Sequence, residues 1–474
     1  MSYFTKTPKA AALVLLSSFV FALPVMAEQA KSQSSFQMPA YEQLKLDNGL
    51  TIFLLPQHEV PLITVQATVR AGAVNDKVAG LSQLTSQALL LGAGGKTKAE
   101  IEQLVDFLGA SLNSDGSMEG SSLRANFMAK DTEQMLAVLH SVLTQPSFDQ
   151  TEFDKLKARQ IAAVAQAKES PRMVMEQYFN KLVFGSHPYG NASSGTAESL
   201  KGISQAQVKN FHQSFYQPGN TAISIVGDFK PQQMKAQLQK IFASWKNGDA
   251  VKQPDLTAAL PKAKKAKVLL VNKADAIETT FSIGGVGIKQ DNPDYVGISV
   301  VNTVLGGRFT SWLNDELRVN SGLTYGAGSG FDRYSASGTF SIGSFTKTES
   351  TKAAMDLALK TYQRLWQQGI DQATLDSAKA YVKGQFPPRF ETNTALAGLL
   401  GDMYLYGFNQ DFINSFQSKV DQLTVAESKR LINSYFPKEQ LQFVLIGKAE
   451  AIKDIAKSYG EVKQVDIQAA GFGE

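Results

Sequence analysis

Ala222-Ile223-Ser224-Ile225-Val226-Gly227 and, 220 residues later, Gln442-Phe443-Val444-Leu445-Ile446-Gly447 are the stretches on which the fold turns. Each is an apolar run of strand length closed by a glycine. Gly72 and Asp76 recur as Gly287 and Asp291, at an offset of 215. A near-constant offset at both ends of a unit is the mark of duplication.

Working outward, the two units carry the same order of elements. In the first, Leu44-Lys45-Leu46 alternates, Asp47-Asn48-Gly49 turns, and Leu50–Leu55 runs back as a second strand. Asn-Gly between apolar runs is a strong hairpin signal. Strands are expected at Ile63–Ala71 and Ser121–Met128, and helices at Gly80–Leu91, Thr97–Leu108, Asp131–Leu143, Asp149–Lys168, Met173–Leu182 and from Gln205. In the second unit, strands are expected at Val268–Val271, Glu278–Gly284, Leu323–Phe331 and Gly338–Phe345, and helices at Asp294–Leu305, Thr351–Gln367, Gln372–Phe386 and from Leu396. Strand runs alternating with groups of helices, without a regular βαβ rhythm, give an α+β unit used twice. The halves span residues 41–245 and 268–450, with a C-terminal tail at 451–474. The join at 246–267 holds Pro254, Pro261 and the run Lys262-Ala263-Lys264-Lys265-Ala266-Lys267, which reads as a solvated linker.

The first 27 of the 474 residues have the form of a cleavable export signal: Lys6 and Lys9, the apolar run Ala10–Leu23, then Val25-Met26-Ala27. A mobile lead at 28–40 follows, and a periplasmic location is expected. No later run has roughly 18 apolar residues, so no integral membrane segment is expected after signal removal. With no cysteine, disulfides and thiolate metal sites are excluded. Loss of the signal leaves 45 basic residues against 43 acidic ones, which argues against nucleic acid as a partner.

Few residues then offer chemistry. His58, His140, His187 and His212 show no metal-ligand spacing. His140 reads as a half-buried helix residue, and His187 as part of a turn with Pro188-Tyr189-Gly190. Gly326-Ala327-Gly328-Ser329-Gly330 lacks the Gly-Lys-Ser/Thr of a phosphate loop, and no Gly-x-Ser-x-Gly elbow exists. On the helix Gly80–Leu91, Leu81, Leu84, Ala88 and Leu91 form the apolar face, while Gln83, Ser86 and Gln87 share a polar one. That polar spacing is the one a zinc peptidase uses for His-x-x-Glu-His, here filled by amides and a hydroxyl. A second constellation is Arg318 with Tyr325. Gly322 is placed to stop the preceding helix, and a strand is expected to start at Tyr325. A guanidinium and a phenol at one end of a sheet can act together on a peptide carbonyl.

With these pieces in order, residues 41–450 resemble the pitrilysin/insulinase family of inverted-motif zinc peptidases. The likeness is carried by Asp47-Asn48-Gly49-Leu50, Gly72 with Gly80-Leu81, His187-Pro188-Tyr189-Gly190, Phe215-Tyr216-Gln217-Pro218-Gly219-Asn220, Ile225-Val226-Gly227-Asp228, Leu305-Gly306-Gly307, and Arg318 with Gly322-Leu323-Thr324-Tyr325. The resemblance implies two homologous α/β-sandwich-like halves forming one shell of a clam-like chamber around short peptides. Gln83, Ser86 and Gln87 stand where the family has His, Glu and His, and the third ligand position falls near Val164 and Ala165. No metal is therefore expected on this chain, and zinc is expected in a partner. Some bacterial relatives divide the labour: a homologous subunit carries His-x-x-Glu-His, and the other supplies an Arg/Tyr pair. Arg318 and Tyr325 match that pair. The expected function is the zinc-free subunit of a heterodimeric periplasmic metallopeptidase, inactive alone. The alternative is a non-enzymatic scaffold, peptide-binding or assembly subunit; a stand-alone peptidase with an unusual site ranks behind both.

Overall fold

The computed structural model describes residues 36–257 and 260–473. The export signal expected at 1–27 lies outside the described residues, as does the lead up to residue 35. The first half contains β1 (Glu42–Lys45), β2 (Thr51–Pro56), β3 (Leu62–Val69), α1 (Leu81–Ala88), β4 (Ser111–Gly116), β5 (Ser121–Met128), α2 (Thr132–Thr144), α3 (Gln150–Ala167), α4 (Pro171–Phe184), α5 (Gln205–Phe215) and β6 (Thr221–Gly227). The second contains β7 (Lys267–Asn272), β8 (Glu278–Val286), α6 (Tyr295–Leu305), β9 (Ala327–Arg333), β10 (Gly338–Lys347), α7 (Thr351–Gln367), α8 (Gln372–Gly384), α9 (Asn393–Tyr406), β11 (Gln442–Gly447), α10 (Ala449–Lys457) and β12 (Glu461–Asp466).

Both halves build the same five-strand core. The sheet orders are β1-β2-β6-β3-β5-β4 and β12-β7-β11-β8-β10-β9. In each, the second and third strands are parallel and those that follow are antiparallel. The glycine pair found by its offset marks one shared contact. A Cβ on Gly72 would lie 2.6 Å from the backbone of Glu119 and Gly120, and one on Gly287 would lie 2.6 Å from the backbone of Thr339. The paired aspartates have diverged, since Asp76 bonds to α1 whereas Asp291 is tied to Lys289 on the surface.

The sixth strand is where the halves differ, and it corrects the expected C-terminal tail. Residues 451–474 carry most of α10 and all of β12, which pairs parallel to β7. In the first half the same place is taken by β1, antiparallel to β2. The expected mobile lead is also corrected over residues 36–40. Phe36 N donates to Gln417 Oε1 at 2.6 Å, Met38 N donates to Asn414 Oδ1 at 2.8 Å, and Phe36 stacks on Phe390 at 5.2 Å. Backbone donors satisfied by distant side chains hold this short stretch although it forms no element of its own. Two further corrections concern strands. β4 (Ser-Leu-Asn-Ser-Asp-Gly) was not expected, because a polar edge strand lacks the apolar alternation of a half-buried one. β9 begins at Ala327, so Tyr325 lies in the loop before it.

The central strands are buried on both faces, and alternate residues serve different cores. On β6, Ile223 and Ile225 join the first half's own helices, while Ala222 and Val226 face a core that includes Leu396, Leu399, Leu400 and Met403 of α9. On β11, Phe443 and Leu445 face the second half's helices, while Val444 and Ile446 meet Val174, Tyr178, Phe179 and Val183 of α4. Each half thus lends one helix to the outer face of the other's sheet: α4 covers β8 and β11, and α9 covers β3 and β6. Strands buried on both sides read as continuous apolar runs, which is why Ile-Val-Gly and Leu-Ile-Gly stand out in the sequence.

The exchange is fitted by small and polar groups. A Cβ on Gly401 of α9 would lie 2.5 Å from Thr68 Oγ1 and 2.7 Å from Gln66 Nε2 of β3. Gln66 accepts two bonds from the Arg124 guanidinium, at 3.0 and 2.6 Å. Asp402 of α9 feels the same cation; its burial nevertheless pushes its carboxyl up to about 6, with Arg124 opposing the rise. Arg70 stacks over the Tyr404 ring at 4.1 Å and donates to the Tyr404 carbonyl at 2.5 Å. At the hairpin tips, buried Glu119 accepts from Tyr189 Oη at 2.8 Å and from Ser335 N at 2.9 Å, joining the two halves.

Gly401→Val should force α9 away from β3 and cost about 1–3 kcal/mol, read as a lower denaturant midpoint at unchanged slope. Gly398→Ala, whose nearest neighbour would be 4.0 Å away, should be neutral or stabilise by up to ~1 kcal/mol.

Candidate functional site

The polar face of α1 is turned onto the edge strand β4. Gln83 Oε1 accepts from Gly116 N at 2.8 Å, and the buried Ser86 Oγ shares a 2.8 Å hydrogen bond with Ser114 Oγ. Gly116 permits this approach, since a Cβ there would meet Gln83 Oε1 at 2.8 Å and its Cα at 3.0 Å. Gln87 is partly buried, and its amide makes no hydrogen bond among the described residues. Ser114 and Gly116 were missed from the sequence because β4 itself was.

These groups do not fit a zinc ion. Imidazole and carboxylate donors are absent from the motif, and the two polar side chains nearest β4 are engaged in hydrogen bonds. On α3, which packs against α1, Val164 turns to the apolar core and Ala165 is exposed. Glu169, the next carboxylate along, is tied to Lys273 at 3.2 Å. No group of three or more His, Cys, Asp or Glu side chains among the described residues is placed to hold a metal.

The histidines are each accounted for separately. His58 pairs with Asp228 at 2.7 Å on the surface. His140 lies edge-on to Phe242, and burial lowers its pKa. His187 Nδ1 accepts from Tyr189 N at 3.1 Å, fixing the Pro188–Gly190 turn. The buried His212 sits 2.9 Å from the Leu143 carbonyl, and desolvation brings it down to about 4.

Arg318 and Tyr325 lie on one braced segment between α6 and β9. Gly306, where α6 ends, touches β9 so closely that a Cβ would sit 2.3 Å from Ser329 N. After a single turn at Trp312–Asn314 the chain widens into a π-helical turn, Asp315–Asn320, in which Ser321 N donates to the Glu316 carbonyl at 3.2 Å. Gly322 then takes φ +64°, the left-handed stop expected of it. The side chain of Arg364 clamps the turn from α7, lying 4.2 Å from the Trp312 ring centroid and 3.9 Å from Glu316. π-helical turns are rare and are frequent at functional sites.

The two side chains differ in setting. The Arg318 guanidinium lies 4.4 Å over the Phe309 ring and has no carboxylate within ion-pair reach among the described residues. Tyr325 is 85% exposed. Its backbone is fixed nonetheless, with buried Thr324 Oγ1 donating to the Gly326 carbonyl at 3.0 Å and Thr346 Oγ1 to the Leu323 carbonyl at 2.6 Å. No hydrogen bond, ion pair or ring contact connects this pair with Gln83, Ser86 or Gln87 among the described residues, so the structure presents two separate constellations, one in each half.

The twice-used α+β unit, with no cluster of metal donors among the described residues, is the architecture of a metallopeptidase-type chain. Residues 53–197 match the family model described as insulinase (peptidase family M16), and residues 202–382 the model described as peptidase M16 inactive domain. The chain belongs to this M16, or pitrilysin/insulinase, family and lacks its zinc motif. Among its relatives is the non-peptidase homolog YmxG of Helicobacter pylori, 24% identical over 402 residues that cover 84% of this chain and 91% of that one. The zinc protease PqqE of Helicobacter pylori is 23% identical over 425 residues, 88% and 95% of the two chains. The crystal structure of a peptidase M16 inactive domain from Pseudomonas fluorescens superposes with a TM-score of 0.80 at 26% identity, covering 86% of this chain and 98% of that one.

The entrance to α1 yields a pH prediction. Asp76 accepts from Gly80 N at 3.0 Å and Ser82 N at 2.8 Å, and burial pushes its carboxyl up to about 7 from 3.8 against the pull of those N–H groups. A carboxyl raised in the folded state favours folding fully below pH about 4, and that contribution is lost as the pH rises through about 7. Stability should therefore fall with pH across this window, and chemical denaturation from pH 4.5 to 8 should show a shallower fall for Asp76→Asn.

Proposed function

We propose that this chain is the zinc-free subunit of a heterodimeric periplasmic metallopeptidase that degrades peptides. Its partner is a homologous chain carrying His-x-x-Glu-His, and this chain contributes Arg318 and Tyr325 to the shared site. The observation that supports the reading most directly is a contrast between the halves. The motif positions Gln83 and Ser86 are turned inward to brace β4, whereas Arg318 has no counter-charge among the described residues and Tyr325 stands in solvent on a fixed backbone. A cation and a phenol held ready but unused within their own chain suit a ligand supplied from outside.

In this assembly the two halves form one shell of a clam-like enclosure, with the partner as the other. Activation of water is left to the partner's metal motif. Tyr325 Oη donates a hydrogen bond to the carbonyl oxygen as it gains negative charge, an interaction stronger in the transition state than in the ground state. Arg318 holds a substrate carbonyl or carboxylate through its planar fork of donors. The competing reading is a scaffold or assembly subunit, for which the pair would have no chemical use. The name of the Helicobacter pylori relative, non-peptidase homolog, is compatible with either.

Peptide cleavage should be measured for this chain alone, for a zinc-motif homologue from the same genome alone, and for the mixture. Activity is expected in the mixture only. Tyr325→Phe should lower kcat by about 10²–10³, the usual loss of an oxyanion donor, and Arg318→Ala should act mainly on KM. Unchanged rates in both variants would leave the scaffold reading, and stoichiometric zinc on this chain alone would overturn the proposal.

A further inference from the structure

The structure assigns Phe309 as a positioning residue for Arg318: its ring is the seat that aims the guanidinium. The inference rests on the proposed role of Arg318 and extends it to a side chain that is no part of the Arg–Tyr pair. Phe309 is 67% exposed and takes no part in the buried cores among the described residues, yet the Arg318 guanidinium carbon lies 4.4 Å over its ring centroid. An arginine without a carboxylate partner is ordinarily free to sweep through many rotamers. An aromatic face restrains it without neutralising it, and leaves the donor edge of the fork free for a carbonyl or carboxylate. An ion pair at this point would occupy the same donors.

Phe309 is itself held. Asn314, whose side chain is buried, donates from Nδ2 to the Phe309 carbonyl at 2.6 Å, and its Oδ1 accepts from Ala327 N at 3.4 Å. Ala327 opens β9, two residues beyond Tyr325. One buried amide therefore ties the loop that seats Arg318 to the strand entry that follows Tyr325. The π-helical turn between them carries Arg318. The spacing of the two functional side chains is set by this tie and by the turn, and the direction of the guanidinium by the ring.

The test is a double-mutant cycle in the mixture with the zinc-motif homologue, using Phe309→Leu, Phe309→Tyr and Arg318→Ala. Phe309→Leu should raise KM about 3–30-fold with little change in kcat, and Phe309→Tyr should restore it. In the Arg318→Ala background Phe309→Leu should have no further effect. Thermal unfolding of the exposed-site variants should match the parent. With selective ¹⁵N-arginine labelling of this chain alone, the Arg318 Nε–H resonance should move in Phe309→Leu and return in Phe309→Tyr. An equal KM change in both backgrounds, no KM change, or an unmoved resonance overturns the seat. If Arg318→Ala itself leaves the mixture unaffected, the shared-site reading fails, while the resonance still decides whether Phe309 orients Arg318.

Discussion

The exchange of helices between the halves is the contact on which the remaining architecture depends. α4, made from the first half, closes the outer face of β8 and β11, and α9, made from the second, closes the outer face of β3 and β6. Without the exchange, Val444, Ile446, Ala222 and Val226 would each face water on strands already buried on the other side. Burial of such side chains is the largest favourable term available to a domain of this kind. Each half therefore completes the core of the other, although the sequence describes them as repeats. Residues 36–474 accordingly cluster as one compact unit.

Duplication fixed the central strands and left the margins free to diverge. The five-strand cores agree in order and direction, but β1 enters its sheet from the N-terminal side and β12 from the C-terminal side. The regions that carry the candidate site residues diverged in the same way. In the first half, the helix after the third strand position has turned its polar face into a brace for β4 through Gln83 and Ser86. In the second, the corresponding region ends in a π-turn that carries Arg318 and an open loop that carries Tyr325. Hydrogen bonds to a neighbouring strand satisfy polar groups that would otherwise be costly to bury, so Gln83 and Ser86 serve the packing of α1 on β4.

Much of this was legible without coordinates, for identifiable reasons. Thr351–Gln367 and Ser121–Met128 show the full period of a helix and of a strand, and the structure gives them those bounds. Asn48-Gly49 marked its hairpin because glycine accepts the positive φ required there. Illegible were features whose partner is distant in sequence. β4 is polar because it is an edge, and only its pairing with β5 and α1 defines it. Phe36–Ala40 looked mobile because Gln417 and Asn414, which hold it, lie far along the chain. Phe309 carried no signal at all, since a lone exposed phenylalanine has no motif.

The sequence by itself determined the repeat, the central strands of each half and the absence of a His-x-x-Glu-His motif, and it singled out Gln83, Ser86, Gln87, Arg318 and Tyr325 as candidates. These follow from residue type and spacing, which local chemistry sets. Tertiary structure alone decided which helix covers which sheet, that β12 completes the second half, and that Gln83 and Ser86 close onto β4. It also decided that Arg318 rests on Phe309 while Tyr325 stands free. Those outcomes depend on groups brought together by packing across hundreds of residues, where no periodicity in the chain records the contact.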